Sequence, residues 1–307
     1  MSVTVPRVES PTIERPVRSP KRKPRWWRDP WRKPRILETV TWAYLAWSIL
    51  PVSIAVLLSF NAGRSNSTFQ GFGLTWWNQD EASLFKDPEL HQAIFQTLKL
   101  SLGTMIVAVP VGVMFAIGID RWHSRPATTA NFVMLLSFVM PEIIIGVALF
   151  LVFQYLLKFI HLGTGAELLG LITFQLSYPV IIVRARLLSI GKEYEEAAMD
   201  LGAPPRQSIR RVLLPLLYPA IFASAALVFA DTIDDFVTVN YLHGLAPTEP
   251  LAIKIYTAAR GSPTPAVNAA ATLMLFSTTI IIVVGFLFYR HFTKGQRAGM
   301  HDFAAQI

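Results

Sequence analysis

The sequence predicts an all-α polytopic membrane protein with six transmembrane helices. Three observations carry that expectation: the ratio of apolar to charged residues, six long apolar segments, and the side on which Lys and Arg gather. Of 307 residues, 52% are hydrophobic and 16% charged. Such a chain is too apolar and too charge-poor for an ordinary soluble domain, and its surplus apolar surface requires lipid.

Crossing a hydrocarbon core of ~30 Å at ~1.5 Å per residue takes about 20 residues of helix. Six segments meet that length: 37–60, 93–119, 131–157, 167–188, 220–243 and 271–289. Several contain Pro or Gly, which membrane helices tolerate when neighbours satisfy the freed backbone groups. With both termini on one side, the segments on that side (1–36, 120–130, 184–219 and 290–307) hold 22 Lys and Arg, against 5 in the remaining loops. The positive-inside rule then places both termini in the cytoplasm.

The organisation that follows is a basic cytoplasmic extension (1–36), a membrane domain (37–290) and a cytoplasmic tail (291–307). The extension has no apolar run, so it does not read as a cleaved secretory signal. Trp26, Trp27 and Trp31 interleave with Arg and Lys there, a composition suited to the headgroup layer. The formal charge of +8 is confined to such segments and is no argument for nucleic acid.

Enzyme chemistry finds little support. The chain has no cysteine, which excludes disulfides, thiol nucleophiles and Cys-type zinc sites. Gly191-Lys192 is followed by Glu193 and lacks the earlier glycine of a phosphate-cradling loop. No nucleophile elbow or metalloprotease helix occurs. No catalytic residue, metal ligand or cofactor is therefore assigned to this chain.

Between the fourth and fifth spans lies KEYEEAAMDLGAPPRQSIRRVLLP, residues 192–215. It reads as helix, turn, helix: good helix formers to Leu201, Gly202 as the left-handed terminator, and Pro204-Pro205 suited to the first turn of the next helix. Glu196-Ala197-Ala198, three residues, Gly202, nine residues and Val212-Leu213-Leu214-Pro215 resemble the EAA loop of ABC-importer membrane subunits, with Val212 where Ile is usual. The resemblance implies a type I ABC importer permease fold. It implies that Glu195, Glu196, Ala197, Ala198, Gly202, Leu214 and Pro215 form a coupling element for an ABC ATPase dimer, which would carry the ATP and Mg. A second homologous permease and an extracytoplasmic solute-binding protein are the other partners it implies.

Four acids fall inside the spans away from their ends: Glu142, beside Pro141, and Asp231, Asp234 and Asp235. Spacings of three and four place the three aspartates near one helical face. Each costs about 2.5–3.5 kcal/mol at the bilayer centre on insertion scales, whereas an Ile, Val or Phe returns only about 0.3–0.6. They must face protein or a watery path. Two readings stay open: buried hydrogen-bonded acids, or a negatively charged lane for a cationic solute. Asp234-Asp235-Phe236-Val237, Leu251 to Tyr256, and Pro265-Ala266-Val267-Asn268-Ala269 resemble the spermidine/putrescine-type permeases of the C-type subunit, which implies a polyamine as solute. A scaffold, or a transporter or channel independent of ATP, is the competing class. The first leaves the aspartates unexplained and the second the hairpin.

Overall fold

A computed structural model describes residues 35–65, 68–121, 125–244, 248–261 and 264–304. The Trp-rich part of the extension lies outside them. The chain divides into two compact units, 1–50 and 51–307. Of the first, the described part is the opening of α1 (Arg35–Ser59). Residues 36–50 are exposed all round, Trp42, Tyr44 and Trp47 among them. A helix apolar on every face and open on every face is suited to lipid.

In the second unit α2 (Pro88–Arg121) is the central post. Its buried face carries Ala93, Thr97, Ser101, Thr104, Ala108, Gly112 and Ala116, small side chains at intervals of three or four. Such a stripe lets neighbouring backbones come close, the main source of packing energy where lipid removes the hydrophobic drive between helices. Three elements use it: α5 (Thr164–Gln175), α6 (Ser177–Ile190) and α9 (Leu214–Asp234). At Gly112 the approach is so close that a Cβ would lie 2.5 Å from Cγ of Pro179.

Among the described residues, five helical stretches are long and apolar enough to cross a membrane, and a sixth is counted if one bent pair is taken as a single span. That pair is α3 (Arg125–Val139) and α4 (Glu142–Leu151), the latter extended by a π-helical turn (Val152–Leu156). The sequence predicts one spanning helix over 131–157. Instead the chain bends by 108° at Met140-Pro141, because Pro141 has no N–H to continue the ladder and disfavours α geometry at the residue before it.

The fifth span also departs from expectation. It begins earlier and ends earlier than 220–243, running from α8 (Pro205–Ser208) through a π-helical turn (Ile209–Leu213) into α9. At Asp235 the backbone becomes extended, with ψ 111°. The Asp235 carboxylate accepts the backbone N–H of Thr238 at 2.8 Å, and this local bond opens the short α10 (Val237–Leu242). Helix α10 packs on α4 and α5 at two glycines: a Cβ on Gly146 would meet Tyr241 at 3.0 Å, and one on Gly170 would meet Leu242 at 2.2 Å.

The loop after α1 is a folded cap. Buried Asn61 donates to the carbonyls of Ser65 and Thr68 and accepts from the N–H of Gln70. Trp77 stacks on Phe60, and Trp76 is buried with Leu84, Leu90, Leu251 and Ala266. Helices α11 (Leu251–Arg260) and α12 (Pro265–Ala304) complete the unit.

Candidate functional site

At one end of α2 stands the polar hairpin. Helix α7 covers Glu193–Asp200. The N–H of Gly202 bonds to the Met199 carbonyl at 2.8 Å and that of Ala203 to the Ala198 carbonyl at 3.0 Å. This pair of bonds is a Schellman stop, with Gly202 at φ +86° as its left-handed residue. Pro205 then takes the first position of α8. The turn chemistry is what the sequence predicts.

Glu196 and Ala197 are exposed and Ala198 half-buried, and Tyr194, Met199 and Leu201 also stand in the open, Leu201 at 90%. An apolar fringe around two alanines is a surface that excludes water when covered. Glu195 points the other way: its buried carboxylate takes three contacts from the Arg121 guanidinium at the end of α2. Leu214 packs with the bundle core and Pro215 is half-buried, both in the first turn of α9. The seven expected coupling residues thus divide into an outward group and a group facing the bundle.

The four acids converge where two helices are interrupted. Glu142 lies in the first turn of α4, just past the 108° bend, while Asp231 and Asp234 close α9 and Asp235 sits at its break. Glu142 is within electrostatic reach of Asp231 and Asp234, and Asp235 of Glu142 and Asp231. Asp235 leaves the helical face that the spacing predicts for the three aspartates, because the chain is no longer helical there. Among the described residues no Lys or Arg forms an ion pair with any of the four. Interrupted helices at membrane depth are tolerated where protein buries them or where they line a wet cavity.

Two neighbours of Asp231 escape sequence reasoning. Gln175, fully buried at the end of α5, donates Nε2 to Asp231 at 2.8 Å. Tyr178 of α6 also reaches Asp231. Asp234, exposed, lines a cavity of about 710 Å³ with Ala230, Ile233, Phe236, Tyr256 and Met274. The rings of Phe236 and Tyr256 are 4.5 Å apart, and the Arg260 guanidinium sits 4.3 Å from the Tyr256 centroid. The i, i+4 spacing of Tyr256 and Arg260 is visible in the sequence; Gln175 carries no signal there. No cluster of metal-ligating side chains occurs among the described residues.

Residues 108–298 match the family described as the binding-protein-dependent transport system inner membrane component. The chain is 30% identical over 257 residues to the spermidine/putrescine transport system permease protein PotC of Escherichia coli K12, covering 84% of this chain and 94% of that protein. It is 27% identical over 280 residues to the putrescine transport system permease protein PotI of the same organism, covering 90% and 95%. In fold it is similar to a chain of a bacterial ABC transporter involved in import of the acidic polysaccharide alginate. That likeness has a TM-score of 0.67 at 17% identity and covers 84% of this chain and 96% of the other.

Proposed function

The chain belongs to the family of binding-protein-dependent transport system inner membrane components, and on that premise we propose that it moves polyamines, spermidine or putrescine, into the cell as one permease subunit of an ATP-driven importer. The observation that carries the solute is the meeting of Glu142, Asp231, Asp234 and Asp235 at two helix breaks, unpaired by any described Lys or Arg. A polycation exchanges its hydration for successive carboxylates in such a place, whereas an anion is repelled. The names of the two relatives support the same class of solute.

In this reading the acids act as a relay rather than as a tight site. Gln175 fixes Asp231 by donating to one carboxylate oxygen. Asp234 opens to the cavity beside Phe236 and Tyr256, whose ring faces suit a methylene chain and attract an ammonium. The hairpin is the docking element for the ATPase, through Glu196, Ala197, Ala198 and the exposed Tyr194, Met199 and Leu201. A pair of ATPase subunits carries ATP and Mg, a second permease completes the path, and an external binding protein delivers the solute to the face opposite the hairpin. The Lys and Arg distribution puts the hairpin and both termini in the cytoplasm. When ATP draws the ATPases together, the hairpins move with them, and the spans rock between outward and inward openings.

The test is uptake of labelled spermidine or putrescine by vesicles carrying the assembled complex. Asp234→Asn, Asp235→Asn and Glu142→Gln keep size and remove charge, and each is expected to lower uptake about tenfold or more at equal complex abundance, a loss of ~1.4 kcal/mol or more of differential interaction. Unchanged uptake in all three returns the acids to a structural role. Wild-type transport of a neutral sugar or an anion instead rejects the polyamine and leaves the importer standing.

A further inference from the structure

Glu195 stands in the middle of the motif yet turns away from the surface a partner would touch. Its carboxylate oxygens lie 3.2 and 3.1 Å from Nε of Arg121, and Oε1 lies 2.5 Å from Nη2. Arg121 also pairs with Asp120 and donates to the carbonyl of Gly191 at 3.4 Å. The Arg121 and Glu195 side chains are 18% and 12% exposed. A planar guanidinium gripping a carboxylate through two nitrogens fixes direction as well as distance, which a lone ammonium does not. On the far side of Glu195, its own carbonyl accepts from Ser208 Oγ at 3.3 Å, so the first turn of α7 is held to both α2 and α8.

The chain's own joints into the hairpin depart from regular α-helix. Between α6 and α7 the link is Gly191, at φ +75°. Between α8 and α9 it is a π-helical turn, Ile209–Leu213, a helix form that is rare and found mostly as single turns. Arg121 bridges across the first of these joints and attaches the hairpin to α2, which continues without a break for 34 residues, about 50 Å of helix. At its other end α2 holds α11: Glu89 pairs with Lys254 at 2.7 Å, and Thr97 Oγ1 accepts the Leu251 N–H at 2.8 Å in a buried setting. Helix α11 is in turn a wall of the Asp234 cavity through Leu251, Ile255 and Tyr256.

We propose that Arg121 is a positioning residue, a latch that makes the hairpin and α2 one rigid lever and so carries hairpin displacement to α11 and the cavity beside Asp234. This rests on the hairpin being the coupling element. The latch stays closed through the cycle, because a lever that released at its base would lose its stroke.

The measurement is solute taken up per ATP hydrolysed, on the complete complex with loaded binding protein, at matched complex abundance. Arg121→Gln and Glu195→Gln are expected to lower that ratio at least fivefold. The charge exchange Arg121→Glu with Glu195→Arg is expected to recover it to within twofold of wild type, which ties the loss to this ion pair. Where Arg121→Gln reduces the amount of complex, Arg121→Lys decides: it keeps the charge, loses the fork, and is expected to lower the ratio two- to threefold. Since the chain has no cysteine, Arg121→Cys with Glu195→Cys joined by a short bifunctional reagent gives a permanently closed latch, and uptake should survive the joining. An unchanged ratio in the single variants, or loss of uptake on joining, overturns the latch. If Gly202→Val uncouples the complex while Arg121→Gln and Arg121→Lys do not, the latch alone fails. If none of them does, the hairpin reading fails with it.

Discussion

Gly202 offers the cleanest perturbation of the hairpin, because its backbone and its surroundings make separate demands. At φ +86° it occupies the region that L side chains rarely adopt, yet a Cβ built there meets nothing within 4 Å. Steric room inside the chain is thus ample, and the whole cost of substitution is conformational. For an unbranched residue that cost is about 1–2 kcal/mol, and for β-branched Val it is toward the upper end of the ~1–3 kcal/mol typical of a strained backbone. Two bonds depend on the turn, Gly202 N–H to Met199 and Ala203 N–H to Ala198. At ~1.4 kcal/mol per tenfold, Gly202→Ala should depopulate the turned hairpin about tenfold relative to competing turns, and Gly202→Val up to about a hundredfold. Asn tolerates the left-handed region, so Gly202→Asn should stay within a few-fold of wild type. Uptake and ATP hydrolysis of the reconstituted complex, measured together, should rank Gly, Asn, Ala, Val in falling order of coupling. A Val variant coupled as well as wild type refutes the reasoning, and so does an Asn variant as poor as Val, since bulk rather than φ would then decide.

Packing along α2 supplies a paired test: Gly112→Ala drives a methyl against the rigid ring of Pro179 and should cost about 1–3 kcal/mol, whereas Gly118→Ala, with nothing within 4 Å, should be neutral or stabilising by up to about 1 kcal/mol. Thermal unfolding of the purified protein in detergent reads both, and equal shifts would dismiss the close approach of α2 and α6. In the cap loop, the N–H of Ala82 and then the Arg64 guanidinium hold the Asp80 carboxyl below the usual carboxylate range. A depressed pKa stabilises the fold above the unfolded value and loses that contribution as pH falls through the folded one. Amide exchange at 80–84, corrected for intrinsic rate, should therefore lose protection below the ordinary carboxylate range, and Asp80→Asn should remove the pH dependence. Protection that is flat with pH in the wild type would contradict this.

Much of the hairpin was legible because each of its signals is local. Gly202, Pro205 and the run Glu193 to Asp200 act within a turn or two of themselves, so chain order alone states where the helix stops and restarts. The third and fifth spans were less legible for a related reason. Hydropathy averages over some 20 residues, and a bend of 108° at Pro141 or a break at Asp235 changes hardly any of those averages. Pro141 did carry a warning, but whether a membrane proline kinks or breaks its helix depends on what its neighbours offer to the freed groups. For Asp235 the deciding partner is Thr238, and the segment it opens is held by Gly146 and Gly170 from two other helices.

Composition, hydropathy and the sidedness of charge determined by themselves that this is a helical membrane protein. Fixed spacing determined that 192–215 is a helical hairpin that stops at Gly202 and restarts at Pro205. Both are properties of a residue and its near neighbours, and lipid enforces the first on any chain that enters it. Tertiary structure alone decided which acids meet, and what each side chain faces. Asp231 finds Gln175 across 56 positions of sequence and Arg121 finds Glu195 across 74. The energy of such pairs depends on distance and on exclusion of water, and neither is set until the small-residue face of α2 has drawn the other helices against it.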